Sequence, residues 1–434
     1  MKVAIVGTGY VGLPTGVCLA ELGHNIICID KDESKIKLLK QLQMPLFEIG
    51  LDKLFKKNVE KKRLTFTTDM KNVKDVDIVI IAVGTPTNPT TNETDMSYVF
   101  SATTELSKFL EGYTLIATKS TVPIGTNDHI EAIISNNKPK SNFDVISLPE
   151  FLREGLAIEY FFKPDRIIVG TNSNKAKNLI KDLYSKLNHE TEFVFVSRKS
   201  AETIKYASNA FLAMKINYIN ELADFCEETG ANIHEVSKGI GLDKRIGKEF
   251  LTPGPGYGGP CLPKDTLAMT QIAKNYGIHL SLIETMKNNK LRKKKMASKI
   301  LDLISDIKED TSVKVAILGL TFKKNTDDCR DSPSIEIINI LLKKKMDISV
   351  YDPKGMENAK LFLKDKVIYA KNEYEAVNDA DVLVVLTEWE KFKRLDMNEV
   401  KKRMKHHNII DLRNLFEKDH IISNGFNYIG IGDK

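Results

Sequence analysis

The sequence predicts an α/β protein in which two Rossmann-like, doubly wound domains are joined by a helical middle domain with a long central helix. Three observations predict this fold. Short apolar segments alternate with helical patterns in residues 1–197, the alternation returns in residues 306–434, and residues 198–305 are mainly helical in pattern. Near-continuous apolar strands separated by helices are typical of parallel sheets that are covered on both faces.

Each domain is predicted from its own segments. Strands are expected in the first domain at 3–6, 26–29, 64–66, 78–83, 115–117, 145–147, 167–169 and 193–196. Residues 201–229 contain neither Gly nor Pro and carry many apolar side chains, as expected of a helix that connects two domains and offers a face for a homodimer. A glycine-rich segment follows at 253–263, and strands of the last domain are expected at 313–318, 348–351, 382–386 and 409–411.

The composition limits the class of protein. The 434 residues include 64 basic and 58 acidic side chains, a net charge of +6 without a basic tail, which gives little support for nucleic-acid binding. Five widely spaced cysteines, with no CxxC pair and no clustered histidines, argue against disulfides and a metal site. No apolar run approaches the roughly 20 residues of a membrane helix, and the first residues enter a strand without a signal peptide. We expect a soluble, cytoplasmic protein.

A dinucleotide site is predicted at the start of the chain. Gly7, Gly9 and Gly12 form a GxGxxG turn, with Tyr10 and Val11, between the first strand and a helix that runs to about residue 22. The first glycine permits the tight turn, the second lets the backbone approach a pyrophosphate, and the third allows close helix packing. The helix N-terminus then faces the anion.

The cofactor predicted at this turn is NAD. Asp30 ends the second strand, at about the spacing that lets an acidic group accept hydrogen bonds from the adenosine ribose and disfavour a 2′-phosphate. Lys31 and Lys35 leave NADP open. Thr85 follows the fourth strand at the sheet edge where ligands bind, although a turn residue would also explain it.

A cysteine in the glycine-rich segment is the candidate nucleophile. Cys261 is flanked by glycines, by Pro260, and by Lys264 and Asp265. A thiol beside a lysine at a helix start could be held as the thiolate. Taken alone, these residues favour the alternative of a buried structural cysteine, since free cysteine usually packs as a small hydrophobe.

Three further patterns suggest chemistry. Lys205 and Asn209 lie four residues apart on the long helix, so both project from one face and could stabilise an oxyanion, although a solvated surface lysine would also explain Lys205. Glu150 and Glu154 could supply a general base, although acids are also favoured in a helix's first turn. Thr121, after the fifth strand, could position a water molecule or a nicotinamide ribose.

The last domain has only part of the dinucleotide fingerprint. Gly319 follows a strand, but the second and third glycines are absent, so a second dinucleotide is not expected. Ser332 and Pro333 predict a helix start, and such a terminus with Lys323 and Arg330 nearby suits a nucleotide diphosphate.

Taken together, these segments resemble the UDP-glucose/GDP-mannose dehydrogenase family over nearly the whole chain. The motifs that carry the resemblance are GTGYVG, VGTPT, KSTVPIGT, PEFLREG, PDRIIVG, KYASNAFLA, RIG, GPGYGGPCLPKD and GLTFKKNTDDCRDSP. The resemblance implies NAD-dependent oxidation of a sugar C6 hydroxymethyl group to a carboxylate by two hydride transfers. The resemblance favours catalytic roles for Cys261 and Lys205 over a structural cysteine and a surface lysine.

Residue roles follow from the resemblance, motif by motif. Cys261 would attack the aldehyde and retain a thioester, Lys205 and Asn209 would stabilise oxyanions, and Glu150, helped by Thr121 and Asp265, would activate water. The implied NAD contacts are Gly7, Gly9, Tyr10, Val11, Gly12, Asp30, Lys35, Thr85, Thr121, Glu154, Lys264 and Arg330. The implied substrate contacts are Glu150, Phe151, Leu152, Arg153, Glu154, Lys205, Asn209, Arg245, Phe250, Leu251, Thr252, Pro253, Gly254, Tyr257, Gly258 and Lys323. In this family Arg245 would reach a nucleotide sugar on a neighbouring subunit, which implies a homodimer.

The sequence departs from the common family pattern at Pro260, Leu262 and Leu148, and Pro260 removes a backbone N–H donor beside Cys261. The PEFLREG, PDR and RIG segments favour UDP-glucose, with GDP-mannose and UDP-N-acetylmannosamine as alternatives. A single-step hydroxyacid dehydrogenase with Lys205 as base, or a non-catalytic NAD-binding protein, are the other interpretations.

Overall fold

A computed structural model describes residues 1–88, 90–187, 190–306 and 313–432. These residues form two compact units, one of residues 1–208 and 267–278, the other of residues 209–266 and those from 279 onward. The predicted limit between the second and third domains, 305/306, lies beside 307–312, which, like 433 and 434, are outside the described residues.

An eight-stranded sheet forms the centre of the first unit. Its strands are β1 (Lys2–Val6), β2 (Asn25–Ile29), β3 (Leu64–Thr67), β4 (Ile78–Ile81), β5 (Tyr113–Thr118), β6 (Asn142–Ser147), β7 (Arg166–Gly170) and β8 (Glu192–Val196). They lie in the order β3-β2-β1-β4-β5-β6-β7-β8, which reverses between β1 and β4 as in dinucleotide-binding sheets. The helices are α1 (Gly12–Glu21), α2 (Glu33–Lys40), α3 (Leu51–Glu60), α4 (Ser97–Ser107), α5 (Thr126–Asn137), α6 (Ala157–Phe162) and α7 (Asn174–Leu183), with a 3-10 helix at Met70–Val73.

One pair of strands corrects the prediction of a wholly parallel sheet. β7 runs antiparallel to β6, with Ser147 opposite Gly170, and β8 is parallel to β7. The connection between β6 and β7 contains the short helix α6, and β7 returns beside β6 in the opposite direction.

Strand β1 explains why the sheet is covered on both faces. Val3 and Ile5 are buried in one hydrophobic cluster, and Ala4 and Val6 in another. Successive side chains of a strand point to opposite faces, so each face of the sheet packs against its own core. The doubly wound arrangement is confirmed.

The middle of the chain is helical, as predicted. Its helices are α8 (Arg198–Thr229), α9 (Ile233–Gly241), α10 (Leu262–Asn275), α11 (Ser281–Glu284) and α12 (Asn289–Asp306), with a 3-10 helix at Thr285–Asn288. The 32 residues of α8 extend about 48 Å at the usual rise of a helix. No helix among the described residues is long and apolar enough to cross a membrane.

The last part of the chain repeats the strand order of the first. β9 (Lys314–Leu318), β10 (Asp347–Tyr351), β11 (Ile368–Tyr369), β12 (Val382–Val385), β13 (Asn408–Asp411) and β14 (Asn427–Ile429) form a parallel sheet in the order β11-β10-β9-β12-β13-β14. Its helices are α13 (Pro333–Leu342), α14 (Met356–Leu363), α15 (Glu373–Ala376), α16 (Glu390–Lys393), α17 (Met397–Arg403) and α18 (Lys418–Ser423), with a 3-10 helix at Lys364–Lys366. The short edge strands β11 and β14 were not predicted.

Candidate active site

The glycine turn after β1 has the geometry of a pyrophosphate cradle. Gly7 has φ +103° and its N–H donates to Ile29 O at 2.7 Å, and a Cβ on Gly7 would lie 2.5 Å from Ala82 O. A Cβ on Gly12 would lie 1.9 Å from Gly7 O, whereas one on Gly9 would meet nothing within 4 Å. Gly7 and Gly12 are therefore required by the protein's own packing, and the side of Gly9 is open to a ligand.

Asp30 is held at the end of β2 by this same turn. Its Oδ2 accepts hydrogen bonds from Thr8 N at 2.8 Å and Thr8 Oγ1 at 2.7 Å, and it faces Lys35 Nζ at 3.4 Å. Burial alone would raise the pKa of Asp30, but the hydrogen bonds from Thr8 and Asp32 and the charge of Lys35 hold it below its ordinary value. The carboxylate is thus ionised, fixed in place, and able to accept ribose hydroxyls.

The other predicted cofactor residues of the first unit lie in the segments that follow β1, β4 and β5. Tyr10 and Val11 are partly buried against the core that covers β1. Thr85 is buried in the segment after β4, where Val83 O accepts a hydrogen bond from Ser120 Oγ at 2.7 Å. Thr121 follows Ser120 and is partly exposed.

A buried ion pair joins the segment after β6 to α8. Glu150 Oε1 lies 2.9 Å from Lys205 Nζ, and Glu150 Oε2 accepts a hydrogen bond from Leu152 N at 2.6 Å. Only 6% of the Glu150 side chain and 5% of the Lys205 side chain are exposed. Although burial raises the pKa of Glu150, the charge and hydrogen bond of Lys205 dominate and keep it low.

The loop that carries Glu150 is itself anchored by a residue that the sequence did not single out. Glu48 is buried, and its two carboxylate oxygens accept from Gly155 N at 2.7 Å and Ala157 N at 3.0 Å. Glu150 and Glu154 both lie in this loop before α6 begins at Ala157, so the alternative that they are acids of a helix's first turn is wrong.

A second missed carboxylate, Glu202, anchors the segment that follows Thr121. It accepts from Gly125 N at 2.6 Å and from Asn127 N at 2.9 Å, where α5 begins. Since Glu202 lies on α8 one turn before Lys205, the same helix fixes both the Thr121 segment and the ion pair. A glutamate within a helix gives no sequence signal for such a long-range contact.

Lys119 was also missed. It follows β5, donates its N–H to Ile81 O at 2.8 Å, and has an exposed fraction of 6%. Its side chain lines a cavity together with Glu150, Phe151 and Arg166. Burial lowers the pKa of Lys119 to about 8, with Glu150 acting in the opposite sense and Lys205 adding to the lowering.

In the second unit, Asn209 and Asp265 are brought together. Asn209 Nδ2 donates to Asp265 Oδ2 at 2.6 Å, and Lys264 Nζ lies 2.6 Å from Asp265 Oδ1. Asp265 is fully buried. Each of its carboxylate oxygens is bonded to a side chain that was also predicted to belong to the site.

Cys261 differs from the other four cysteines in its surroundings. Cys18, Cys28, Cys226 and Cys329 are buried, and burial raises the pKa of Cys18, Cys28 and Cys329 well above its ordinary range. Cys261 is partly exposed and immediately precedes α10, with its carbonyl accepting from Asp265 N at 2.9 Å. A thiol at the N-terminus of a helix lies at the positive end of the helix dipole, which favours the thiolate.

The glycines before Cys261 pack closely against the protein itself. A Cβ on Gly256 would lie 2.6 Å from Asn289 Oδ1, and one on Gly258 would lie 2.3 Å from Asp331 O. Gly254 is held by hydrogen bonds from its N–H to Asn220 Oδ1 at 2.8 Å and from Arg292 Nε to its carbonyl at 3.1 Å. Cys261 thus follows a closely packed segment.

The remaining predicted residues of the second unit are spread over several segments. Phe250 has φ +63°, a strained conformation at the start of the predicted substrate loop 250–254. Tyr257 is buried, and its hydroxyl donates to Met286 O at 3.3 Å. Arg245 is 88% exposed beside Asp243, whereas Arg330 pairs with Asp328 and its carbonyl accepts from Gly259 N at 3.1 Å.

The turn after β9 resembles the turn after β1, but the carboxylate beside it is enclosed by the protein. Asp352, at the end of β10, accepts from Leu320 N at 2.8 Å, Thr321 N at 3.2 Å and Trp389 Nε1 at 3.1 Å, and it is 1% exposed. The carboxylate that would meet a ribose is therefore already satisfied. Nearby, Ser332 caps α13 by accepting from Ser334 N, with Pro333 in the first turn, as predicted.

The GxGxxG turn with its acidic partner Asp30 is typical of a dinucleotide-binding enzyme, and the chain contains a second Rossmann-like sheet. Three family models match the chain: the NAD binding domain of the UDP-glucose/GDP-mannose dehydrogenase family at residues 1–188, its central domain at 199–290, and its UDP binding domain at 316–418. The chain belongs to the UDP-glucose/GDP-mannose dehydrogenase family. The predicted resemblance, fold class, NAD cofactor and class of enzyme are thereby confirmed.

Individual relatives span the full chain. It is 47% identical to UDP-glucose 6-dehydrogenase of Rhizobium meliloti (strain 1021), over 100% of this chain and 99% of the relative. It is 44% identical to UDP-glucose 6-dehydrogenase of Rickettsia typhi (strain ATCC VR-144 / Wilmington), over 100% of both. A solved UDP-glucose dehydrogenase from the hyperthermophilic archaeon Pyrobaculum islandicum has TM-score 0.91 and 30% identity, over 100% of this chain and 98% of that one.

The hydrogen bonds of Asp30 generate a prediction about cofactor choice. Asp30→Ala should weaken NAD binding by roughly ten- to a hundredfold, the loss expected for hydrogen bonds to a charged acceptor, and should narrow the preference for NAD over NADP. Titration of each cofactor by protein fluorescence checks this. Glu33→Ala, which removes an exposed charge from the first turn of α2, is the control. Unchanged NAD affinity in Asp30→Ala would show that the ribose contact is misassigned.

Proposed function

We propose that this protein oxidises UDP-glucose at C6 to UDP-glucuronate, with Cys261 holding the sugar covalently between two NAD-dependent steps. The observation that carries the proposal is the position of Cys261, the partly exposed cysteine of the five, at the N-terminus of α10. The two full-length relatives described above bear the name UDP-glucose 6-dehydrogenase. NAD, when bound, accepts the hydride in each oxidation.

The first oxidation converts the C6 alcohol to an aldehyde. A hydride leaves C6 and the hydroxyl proton is released, so negative charge develops on the oxygen as the proton departs. Lys205 and Asn209 are one turn apart on α8, and an ammonium and an amide N–H are suited to stabilise that charge. Glu150 holds the Lys205 ammonium at 2.9 Å before the substrate arrives.

The covalent step uses the thiolate of Cys261. Its sulfur attacks C6 of the aldehyde, and the carbonyl π electrons move to oxygen to give a thiohemiacetal. Loss of a second hydride from C6 oxidises this adduct to a thioester. Asp265 lies in the first turn of α10, just after Cys261. Its buried hydrogen bond from Asn209 holds the amide in a fixed orientation.

Hydrolysis completes the reaction. Water, deprotonated by Glu150, adds to the thioester carbonyl, and the C–S bond breaks to return the thiolate and release the carboxylate. In total, one alcohol, two NAD and one water give one carboxylate, two NADH and three protons. Because Lys205 and hydrogen bonding keep the pKa of Glu150 low, the carboxylate is ionised and ready to accept a proton at neutral pH.

UDP-glucose is proposed ahead of two other nucleotide sugars. The names of the two full-length relatives support UDP-glucose over both GDP-mannose and UDP-N-acetylmannosamine. A single-step hydroxyacid dehydrogenase would leave no task for a thiol at a helix N-terminus. The site residues, the cytoplasmic location and the domain limits 1–197, 198–305 and 306–434 are part of the same proposal.

Two NADH per sugar is the expected outcome with UDP-glucose. The purified protein, with excess NAD and limiting UDP-glucose, should form two NADH and one UDP-glucuronate, because the aldehyde stays on Cys261 until the second oxidation. NADH absorbance and chromatography of the nucleotide sugar check this. UDP-N-acetylmannosamine and GDP-mannose are compared in parallel. One NADH per sugar, or faster turnover with either competitor, would contradict the proposal.

The covalent route predicts a specific defect in Cys261→Ser. A hydroxyl is a far weaker nucleophile than a thiolate, so UDP-glucuronate formation should fall by roughly 10³-fold or more while NAD and UDP-glucose still bind. Calorimetric titration measures the binding and NADH formation the rate. Cys226→Ala, at a buried cysteine of α8, is the control and should keep turnover. Full acid production by Cys261→Ser would exclude the thioester.

We also propose that the protein forms a homodimer through α8. Phe211, Tyr218 and Phe225 are 57%, 51% and 63% exposed. They are spaced by seven residues, which returns to nearly the same side of a helix after two turns, so they form one aromatic stripe. Exposed aromatic side chains in a row are enriched at protein interfaces, and α8 is long enough to pair along its length.

The dimer proposal predicts that a charge in the stripe separates the subunits. Phe225→Lys would bury an unpaired ammonium at the interface, so dissociation at micromolar protein concentration should increase at least about tenfold. Sedimentation velocity measures the change. Leu361→Lys, at an apolar residue of α14 that is 74% exposed, is the matched control. A wild-type monomer, or equal dissociation of both variants, would contradict the proposal.

A further inference from the structure

A buried lysine beside the Glu150–Lys205 pair has no anion of its own. Within the described ranges, Lys119 forms no ion pair or side-chain hydrogen bond, and the nearby carboxylate of Glu150 is already used by Lys205 and by Leu152 N. All three charged side chains have exposed fractions of 6% or less. The group therefore contains two ammonium ions and one carboxylate.

Adjacent strands bring these residues together. Leu148 N donates to Thr118 O at 2.9 Å, which continues the parallel register of β5 and β6 beyond their last residues. Lys119 therefore lies at the same edge of the sheet as the segment that carries Glu150, and the two line one cavity. The other charged groups that line it are Asp165 and Arg166, and Arg166 stacks on Phe151 at 4.0 Å from the ring centre.

Stability does not explain a second ammonium at this position. A buried cation without its own partner is costly, and an apolar side chain of similar length would remove that cost. Buried groups with unfavourable charge that lie in a cavity are more typical of functional sites. The low pKa of Lys119, caused first by burial, agrees with this strained environment.

We propose that Lys119 is a positioning residue: its ammonium, buried in the same cavity, keeps Glu150 as a carboxylate. A neighbouring cation favours the charged form of a carboxyl group, and burial keeps water from screening the effect. Glu150 then stays available to accept a proton from water during hydrolysis. This role rests on the proposed function.

The test is the pH dependence of turnover. Replacing Lys119 by Met removes a positive neighbour, so the proton affinity of Glu150 rises. The acidic limb of the rate profile, where Glu150 becomes protonated, should move to higher pH by about one unit. Lys119→Arg keeps the charge, and this limb should stay within about 0.3 unit of the wild type.

Two further measurements separate a structural role from this one. The melting temperature of Lys119→Met should equal or exceed that of the wild type, because a buried cation has been removed. Lys108→Met, at an exposed lysine that ends α4, should leave both the profile and the melting temperature unchanged. A lower melting temperature or loss of folding in Lys119→Met, or an acidic limb that does not move, would overturn the proposal.

The protonation of Glu150 can also be followed without substrate. The infrared carboxylate band that disappears in Glu150→Gln belongs to Glu150, and its titration should move to higher pH in Lys119→Met. This measurement stands even if no nucleotide sugar is oxidised, so a failure of the proposed function is distinguishable from a failure of the charge coupling. A titration that does not move would overturn the coupling directly.

Discussion

The buried ion pair between Glu150 and Lys205 is the contact that fixes the proposed catalytic groups of the first unit. It joins a loop to a helix in a place where water hardly reaches either group. A buried pair compensates its desolvation only when other hydrogen bonds complete it, and Leu152 N supplies one. Glu48 and Glu202 support the flanking segments in the same way, each with a carboxylate bound to two backbone N–H groups. Carboxylates thus fix the loops that a sheet edge alone would leave loose.

The thiol of Cys261 depends on a different constraint, its place at the start of a helix. A reactive cysteine must be accessible to the substrate and must be stabilised as the thiolate. Cys18, Cys28 and Cys329 meet neither condition, because burial encloses each thiol and raises its pKa. The glycines before Cys261 let the chain pass close to Asn289 and Asp331. The helix start is therefore held rigidly while the sulfur stays accessible, which a looser loop would not achieve.

Local patterns were sufficient to predict most of the fold, because buried strands and the GxGxxG turn are encoded by neighbouring residues. The antiparallel β7 was missed since a buried strand has the same apolar pattern in either direction, and β11 and β14 are too short to show a period. For the site, Cys261 and Lys205 were predicted only through the family resemblance, since each alone suits an ordinary structural role. Lys119, Glu48 and Glu202 act through residues far away in sequence, which no local motif reports.

The two Rossmann-like sheets show how one turn geometry can serve two ligands. Gly7 and Gly319 both have φ above +100° and approach the neighbouring chain too closely for a side chain. The carboxylate at the end of the next strand differs: Asp30 is 12% exposed, whereas Asp352 is enclosed by backbone N–H groups and the indole of Trp389. Because Asp352 is almost completely buried, its carboxylate is closed to ribose hydroxyls, although the turn has the same fold. What the second sheet offers instead is the capped start of α13 and the cations around it, which suit a diphosphate and match the UDP binding domain model.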